Sequence, residues 1–368
     1  SDKRTGFNVT KLWTYKGIQL QEAEEIGAGE IAMLAGLDNV LISDTIALID
    51  TSDPLPAIQV EPSTLSMNFY ANNSPLSGKD GGKFLTIHKI RERVEKEEAV
   101  SVSIKIDPDG PADAVKVQAR GELQLAILIE TMRREGYEMQ ISRPQVIFKK
   151  LDGVVNEPYE IATLECPEDS VGTVMEDMSR RKGEMIDMRK NDNGTTSLDY
   201  SIPTRGLIGF RSNFLTMTRG LGLISSLFDG YRPYKGEIES RTQGSLINKD
   251  PGKLTRYAYE DVQERGTLFY PIGTDLYGGM IVGACSRDED MVVNATKEKA
   301  ANNIRSATSE STNTLDPHKE FSLEQALAWL REDELLEVTP KQLRFRKKIL
   351  DHSERRVAER RSELAGVV

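Results

Sequence analysis

Two glycine-arginine corners constrain this chain more than any other feature. Ala119-Arg120-Gly121-Glu122-Leu123 and Thr204-Arg205-Gly206-Leu207-Ile208 lie 85 positions apart, and each follows a short alternating run and opens a segment that can be helical. Around the first corner, alternation predicts strands over 64–71, 100–106, 113–119 and 138–148. Helical spacing of Phe84, Ile87, Ile90, Arg91 and Val94 predicts a helix over 83–98, and Leu123, Ile127 and Met132 are expected on the buried side of a second helix from Gly121. Around the second corner the same reading gives a strand over 159–164, a helix over 170–181 and a hairpin of 184–190 with 195–202 about Asn193-Gly194. A helix over 207–218 and a strand over 221–228 complete it. The order β-α-β-β-α-β, the split βαβ arrangement, thus occurs twice. Either the unit is duplicated or two common units stand side by side by coincidence.

The flanks are different. Residues 1 to about 50 hold short alternating pieces, Phe7-Asn8-Val9-Thr10-Lys11-Leu12-Trp13 and Glu30-Ile31-Ala32-Met33-Leu34-Ala35, punctuated by Gly27-Ala28-Gly29. That pattern fits part of a small β-barrel, with too little chain before it for a whole one. After the turn-rich Asp229-Gly230-Tyr231-Arg232-Pro233 come expected strands over 254–259, 266–269, 280–285 and 291–293, so the last region reads as a mixed β domain. Residues 294–320 are polar and poor in apolar anchors, which predicts a loop. Ser322 is placed to cap a helix to about Leu330, with Gln325 at the capping-box position. The basic stretch 341–349 is expected to be a strand with a polar side open to a polyanion.

The chain has 368 residues, a length for two to four domains. Cys166 and Cys285 are too few for a disulfide framework, and no apolar run is long enough to cross a bilayer, so a cytoplasmic location is expected. The sequence carries no GxxxxGK[ST] phosphate loop, and its two cysteines and three histidines (His88, His318, His352) have no metal-ligand spacing. Carboxylates are abundant, yet nothing in the sequence brings two together as an acid–base pair. No catalytic, cofactor-binding or metal-binding residue is assigned.

Charge points to binding instead. The net charge of −10 argues against indiscriminate coating of nucleic acid, but 341–361 holds nine Lys/Arg against three Asp/Glu. In that stretch Lys341, Arg344, Arg346, Lys347, Lys348, Arg355 and Arg356 can meet phosphates, or can be a solvated basic tail. Phe345 is expected to anchor the segment. Lys297, Lys299, Asn302, Asn303 and Arg305 in the polar loop suit a nucleic-acid end, or equally a solvent-facing loop. At the second corner, Gly206 and Gly209 permit a sharp turn whose amides can face a phosphate, with Arg205 and Arg211 adding bidentate contacts. The competing reading is a structural corner whose arginines are satisfied by internal carboxylates or carbonyls.

Ser201-Ile202-Pro203-Thr204-Arg205-Gly206-Leu207-Ile208-Gly209-Phe210-Arg211-Ser212 closely resembles the corresponding stretch of the BipA/TypA translational GTPases. Ala119-Arg120-Gly121-Glu122-Leu123-Gln124-Leu125, Asn294-Ala295 and Asp333-Glu334-Leu335-Leu336-Glu337-Val338-Thr339-Pro340 support the resemblance, which covers essentially the whole chain. It implies a multidomain α+β protein: a partial β-barrel (1–55), two ferredoxin-like domains similar to the third and fifth domains of elongation factor G (56–152 and 153–232), and a family-specific mixed β/α C-terminal domain (233–368). It also implies that this is the C-terminal part of a longer protein whose GTPase domain would hold GTP and Mg2+, none of it expected here. The implied partners are the 70S ribosome, large-subunit rRNA and A-site tRNA, with ribosomal proteins possible and no membrane or DNA. The implied role is in stress, low-temperature growth and large-subunit assembly. A protein-docking regulatory module and an enzyme built on an unrecognised carboxylate pair are the alternatives.

Overall fold

The structure, a computed structural model, describes residues 6–37, 40, 43–48, 55–56, 61–238, 241–298 and 315–364. The chain divides into two compact units, residues 1–60 with 99–102, and the remainder. In the first, β1 (Lys11–Lys16), β2 (Gln19–Glu22) and β3 (Ala32–Ala35) make a three-stranded antiparallel sheet in the order β2-β1-β3. Gly17, with φ of +64°, turns the β1–β2 hairpin in a conformation glycine adopts without strain. Among the described residues this sheet does not close into a barrel.

In the larger unit, β4 (Leu65–Ala71), α1 (Ile87–Val100), β5 (Ile104–Ile106), β6 (Ala114–Ala119), α2 (Glu122–Glu135), β7 (Met139–Ser142) and β8 (Gln145–Val146) follow the order expected around the first corner. The strands lie β7-β4-β6-β5, all antiparallel. Period-two alternation sends Leu65, Met67, Phe69, Val115, Val117, Met139 and Ile141 into the core, with Ser66, Asn68 and Gln140 at the intervening positions. Ile90 and Val94 of α1 are buried with them, as are Leu125, Leu128, Ile129 and Met132 of α2. The expected stripe on α2 needs correcting: Leu123 and Ile127 are half exposed, because the helix starting at Glu122 turns the 125/129/132 row inward.

The second α+β unit contains β9 (Lys149–Leu151), β10 (Val154–Pro167), α3 (Val171–Arg180), β11 (Glu184–Lys190), β12 (Thr195–Pro203), α4 (Thr204–Leu207), α5 (Phe210–Met217) and β13 (Leu223–Pro233). Its sheet runs β11-β12-β10-β13, the same connectivity as before. The helix expected over 207–218 is broken at Ile208-Gly209, for reasons given below. Ala162, Leu164, Cys166, Leu198, Tyr200 and Ile202 pack on Val174, Met178, Phe210 and Phe214 to form a separate core.

The remaining elements are β14 (Ser245–Asn248), β15 (Gly252–Lys253), α6 (Arg256–Gln263), β16 (Gly266–Leu268), β17 (Asp275–Leu276), β18 (Met280–Cys285), β19 (Met291–Val293), α7 (Leu323–Trp329), β20 (Glu334–Val338), β21 (Leu343–Lys347) and α8 (His352–Leu364). The strand expected over 254–259 is instead helical. Thr255 accepts the Ala258 amide at 3.1 Å as N-cap, and Ala258, Tyr259 and Val262 form the buried face. The capping box on Ser322 and Gln325 is present. Most consequential is β20, which pairs antiparallel with β7, so strands of the first α+β unit and of the C-terminal region form one eleven-stranded sheet. Among the described residues, no helix is long and apolar enough to cross a membrane, and no three His, Cys, Asp or Glu side chains converge to hold a metal.

Candidate nucleic-acid interface

The second corner is built by backbone constraints. Gly209 sits at φ +69°, and a Cβ there would overlap that of Ala328 on α7. A Cβ on Gly206 would meet the Arg181 carbonyl oxygen at 2.7 Å. Arg181 donates to the carbonyls of Gly206 (2.9 Å) and Ile208 (3.2 Å), satisfying acceptors that the short α4 leaves open. The Gly209 amide donates to the Glu122 carboxylate at 3.0 Å, so the two corners touch. Burial, outweighing that hydrogen bond, pushes the Glu122 carboxyl above its usual range. The amide considered for phosphate is therefore taken.

Arg205 follows the structural reading. Its guanidinium forms a forked pair with the fully buried Glu157, donates to the Gly236 carbonyl, and lies 4.6 Å from the Tyr234 ring. Arg211 is exposed and makes no ion pair with the described residues. The first corner's Arg120 pairs with Glu61.

The basic stretch requires a larger correction. The sequence predicts β21 with a polar side open to solvent; instead it lies between β18 and β20, and its residues from Arg344 to Lys347 are buried on both faces. Arg344 donates to Glu337 at 2.8 Å and also pairs with Asp80. Burial alone would depress the Lys347 ammonium, but Glu334, Asp333 and Asp290 outweigh it and hold its pKa above the ordinary lysine value. Arg346 donates to Asn73 at 2.7 Å and to the carbonyls of Lys347 and Lys348. Arg355 donates to the carbonyls of Ile349 and Leu350. Phe345 is the expected anchor, packed in an aromatic cluster with Phe269, Phe321 and Trp329.

What stays open to solvent is a smaller set. Lys341, Lys348 and Arg356 are exposed without an ion pair to the described residues, as are Arg360 and Arg361 of α8. Lys297 is exposed 5.8 Å from the ring of Tyr257, itself partly exposed. Lys299, Asn302, Asn303 and Arg305 lie outside the described residues. The sequence reading passed over Phe148-Lys149-Lys150 and Tyr231-Arg232-Pro233-Tyr234-Lys235, two aromatic-basic runs that the fold brings together; their composition was the available signal.

Two family models match in succession, the elongation factor G C-terminus over 154–242 and the TypA/BipA C-terminal domain over 243–352. The chain is 44% identical over 362 residues to a Bacillus subtilis protein named large ribosomal subunit assembly factor BipA, an alignment covering 98% of this chain. Residues 243–352 thus match the TypA/BipA C-terminal domain, and nearly the whole chain aligns with proteins named BipA. BipA proteins of the same name from Salmonella typhimurium and Synechocystis are 42% and 41% identical, over 97% and 92% of this chain. The chain spans 59% of the length of the Bacillus and Salmonella relatives and 57% of the Synechocystis one. A crystal structure from Thermus thermophilus aligns with a TM-score of 0.37 at 14% identity, over 61% of this chain and 49% of that one. The stretch matched to the TypA/BipA C-terminal domain contains the buried ion pairs of β20 and β21 and the exposed Lys297, Lys341 and Lys348.

Proposed function

We propose that this chain is the ribosome- and RNA-docking portion of a BipA-type large-subunit assembly factor. The observation that carries the reading is the 44% identity across 98% of the chain to a relative of that name. In this reading the parent protein is a translational GTPase that uses GTP and Mg2+, and the present chain contributes binding rather than bond cleavage. The two α+β units, each with strands in the relative order 4-1-3-2, are ferredoxin-like domains over 56–152 and 153–232. Residues 1–55 belong to a translation-factor barrel, and 233–368 form the C-terminal RNA-contacting domain. The partners are the 70S ribosome, large-subunit rRNA and A-site tRNA, met in the cytoplasm under stress or at low temperature.

Lys297, Lys341, Lys348, Arg211 and Arg356 are the phosphate contacts, since they are exposed and unpaired among the described residues. Arg205, Arg344, Arg346, Lys347 and Arg355 hold the scaffold. Binding of the chain to 70S ribosomes, with and without A-site tRNA across a salt series, tests this. Lys341→Glu/Lys348→Glu is expected to weaken binding and flatten the log–log salt dependence by about one unit per lost phosphate contact. Unchanged affinity and slope would remove these residues from the interface; salt-insensitive binding would favour protein docking.

A further inference from the structure

The junction between the two α+β units carries a feature that the scaffold does not use. β10 pairs with β9 on one side (Asn156↔Lys149) and with β13 on the other (Asn156↔Pro233), and the Tyr234 amide donates to the Val155 carbonyl at 3.0 Å. This register sets Phe148-Lys149-Lys150 beside Tyr231-Arg232-Pro233-Tyr234-Lys235. Phe148 meets Tyr234 edge-on, with ring centroids 5.8 Å apart, and the Lys149 ammonium lies 4.1 Å from the Tyr231 ring. Phe148 nevertheless keeps 49% of its surface exposed and Tyr234 42%.

The charges around these rings are unevenly used. Arg205, Arg232 and Lys235 are matched to Glu157, Asp229 and Glu184. Lys149 and Lys150 are exposed and have no carboxylate partner among the described residues. Asp152, at the turn of the β9–β10 hairpin, is the hairpin's own acid. A solvent-facing Phe148 ring braced by Tyr234, whose own ring lies 4.6 Å from the Arg205 guanidinium, together with two ammonium groups that have no carboxylate partner among the described residues, matches what a single strand of RNA presents. A base offers a flat π-face to stack on, and the adjoining phosphates offer negative charge.

We infer that Phe148, braced edge-on by Tyr234, offers the stacking face for an unpaired base of RNA, with Lys149 and Lys150 holding the flanking phosphates. The inference rests on the RNA-docking role proposed above and adds a contact site on a different part of the fold. A partner polypeptide would use the rings and the exposed Leu151, Val154 and Val155 of the same hairpin, but would leave both lysines without counter-charge unless it were acidic.

The test measures binding of a fluorescently labelled oligoadenylate about 12 nucleotides long, alongside a duplex RNA of equal length, to the full chain. Phe148→Ala is expected to weaken single-strand binding by roughly five- to a hundredfold, the range of one lost stacked base, with Phe148→Tyr restoring it. Lys149→Ala/Lys150→Ala should lower the salt dependence, and the duplex should bind more weakly than the single strand because its bases are already stacked. The idea is overturned if Phe148→Ala leaves oligoadenylate affinity unchanged, or if the wild-type chain does not bind the oligomer even at low salt. Running Lys341→Glu/Lys348→Glu beside these variants on 70S ribosomes separates the two readings. Ribosome binding lost in that variant, with oligoadenylate binding insensitive to Phe148, would sink the platform and keep the docking role.

Discussion

Lys347 and Lys348 are sequence neighbours with opposite expected behaviour, and a pair of substitutions distinguishes them. Lys347 is buried against Asp290, Asp333 and Glu334, and Glu334 is itself fully buried. Lys347→Met keeps most of the aliphatic stem and removes only the charge, leaving Glu334 to Arg241, which donates to it at 3.0 Å. Removing one partner from a buried ion pair costs about 3–5 kcal/mol, because the desolvated partner charge loses its compensation. Two things reduce that figure here: Arg241 still serves Glu334, and Asp333 is exposed enough to rehydrate. A loss of about 3 kcal/mol is therefore the expected value. Because urea m-values rise above the roughly 1–3 kcal/mol/M of small proteins for a unit of this size, the midpoint should fall by up to about 1 M. Trp329 is the reporter, since the Arg241 guanidinium lies 3.5 Å from its ring, and a Trp13→Phe background removes the other tryptophan. Lys348→Met, by contrast, should change stability by no more than about 0.5 kcal/mol. Equal midpoints for Lys347→Met and Lys348→Met would refute the assignment of Lys347 to the scaffold.

Three further outcomes follow from the same geometry. Arg205→Ala should cost about 3–5 kcal/mol by stranding the buried Glu157, and Arg205→Lys should recover little because an ammonium cannot reproduce the fork; thermal unfolding of both variants decides it. Gly209→Ala should destabilise by about 2–4 kcal/mol, combining left-handed backbone strain with overlap on Ala328, and a denaturation midpoint equal to wild type would contradict that. Burial raises the Glu122 carboxyl in the folded state, so its contribution is most favourable below the unfolded pKa and declines as pH rises through the folded one. Glu122→Gln, which can still accept from Gly209, should therefore gain more stability at pH 7 than at pH 4; equal differences at the two pH values would refute it.

Local signals carried much of the fold. The doubled β-α-β-β-α-β order, the Asn193-Gly194 hairpin and the Ser322–Gln325 box all rest on residues within a few positions of one another. What was not legible depends on distant partners. An alternating Leu-Arg-Phe-Arg-Lys run reads the same whether its cations face water or face Glu337 and Asp80, and Asp80 is more than 250 positions from Arg344. The pairing of β20 with β7 leaves no local trace either. On α6 the residues permit both periods, and the Thr255 cap decides between them. At the second corner, the choice between phosphate and internal carboxylate turned on Glu157 and Glu122, which arrive from other elements.

The position of those buried charges suggests why they are kept. On the β20–β21 ladder Glu334 lies directly opposite Lys347 and Glu337 directly opposite Arg344, with Leu336 opposite Phe345 between them. A slip of one residue in either direction would set Glu337 against Phe345 or Leu343 and reverse which side chains meet each face, while Glu334 would still meet a cation, Arg346 or Lys348. Buried ion pairs contribute little net stability against well-packed apolar residues, so their value here is discrimination between registers. Register matters at this place because β20 also pairs with β7, setting Glu337 opposite Gln140 and Leu336 opposite Ile141. An error in one ladder would thus propagate into the α+β unit beside it. Replacing Glu337 and Arg344 together by leucine tests the argument: the variant should lose about 2–5 kcal/mol, because Asp80, Ser74 and Tyr277 lose these partners, while hydrogen-exchange protection across β7 becomes heterogeneous. Uniform, wild-type protection in a stable double variant would show that packing alone fixes the register.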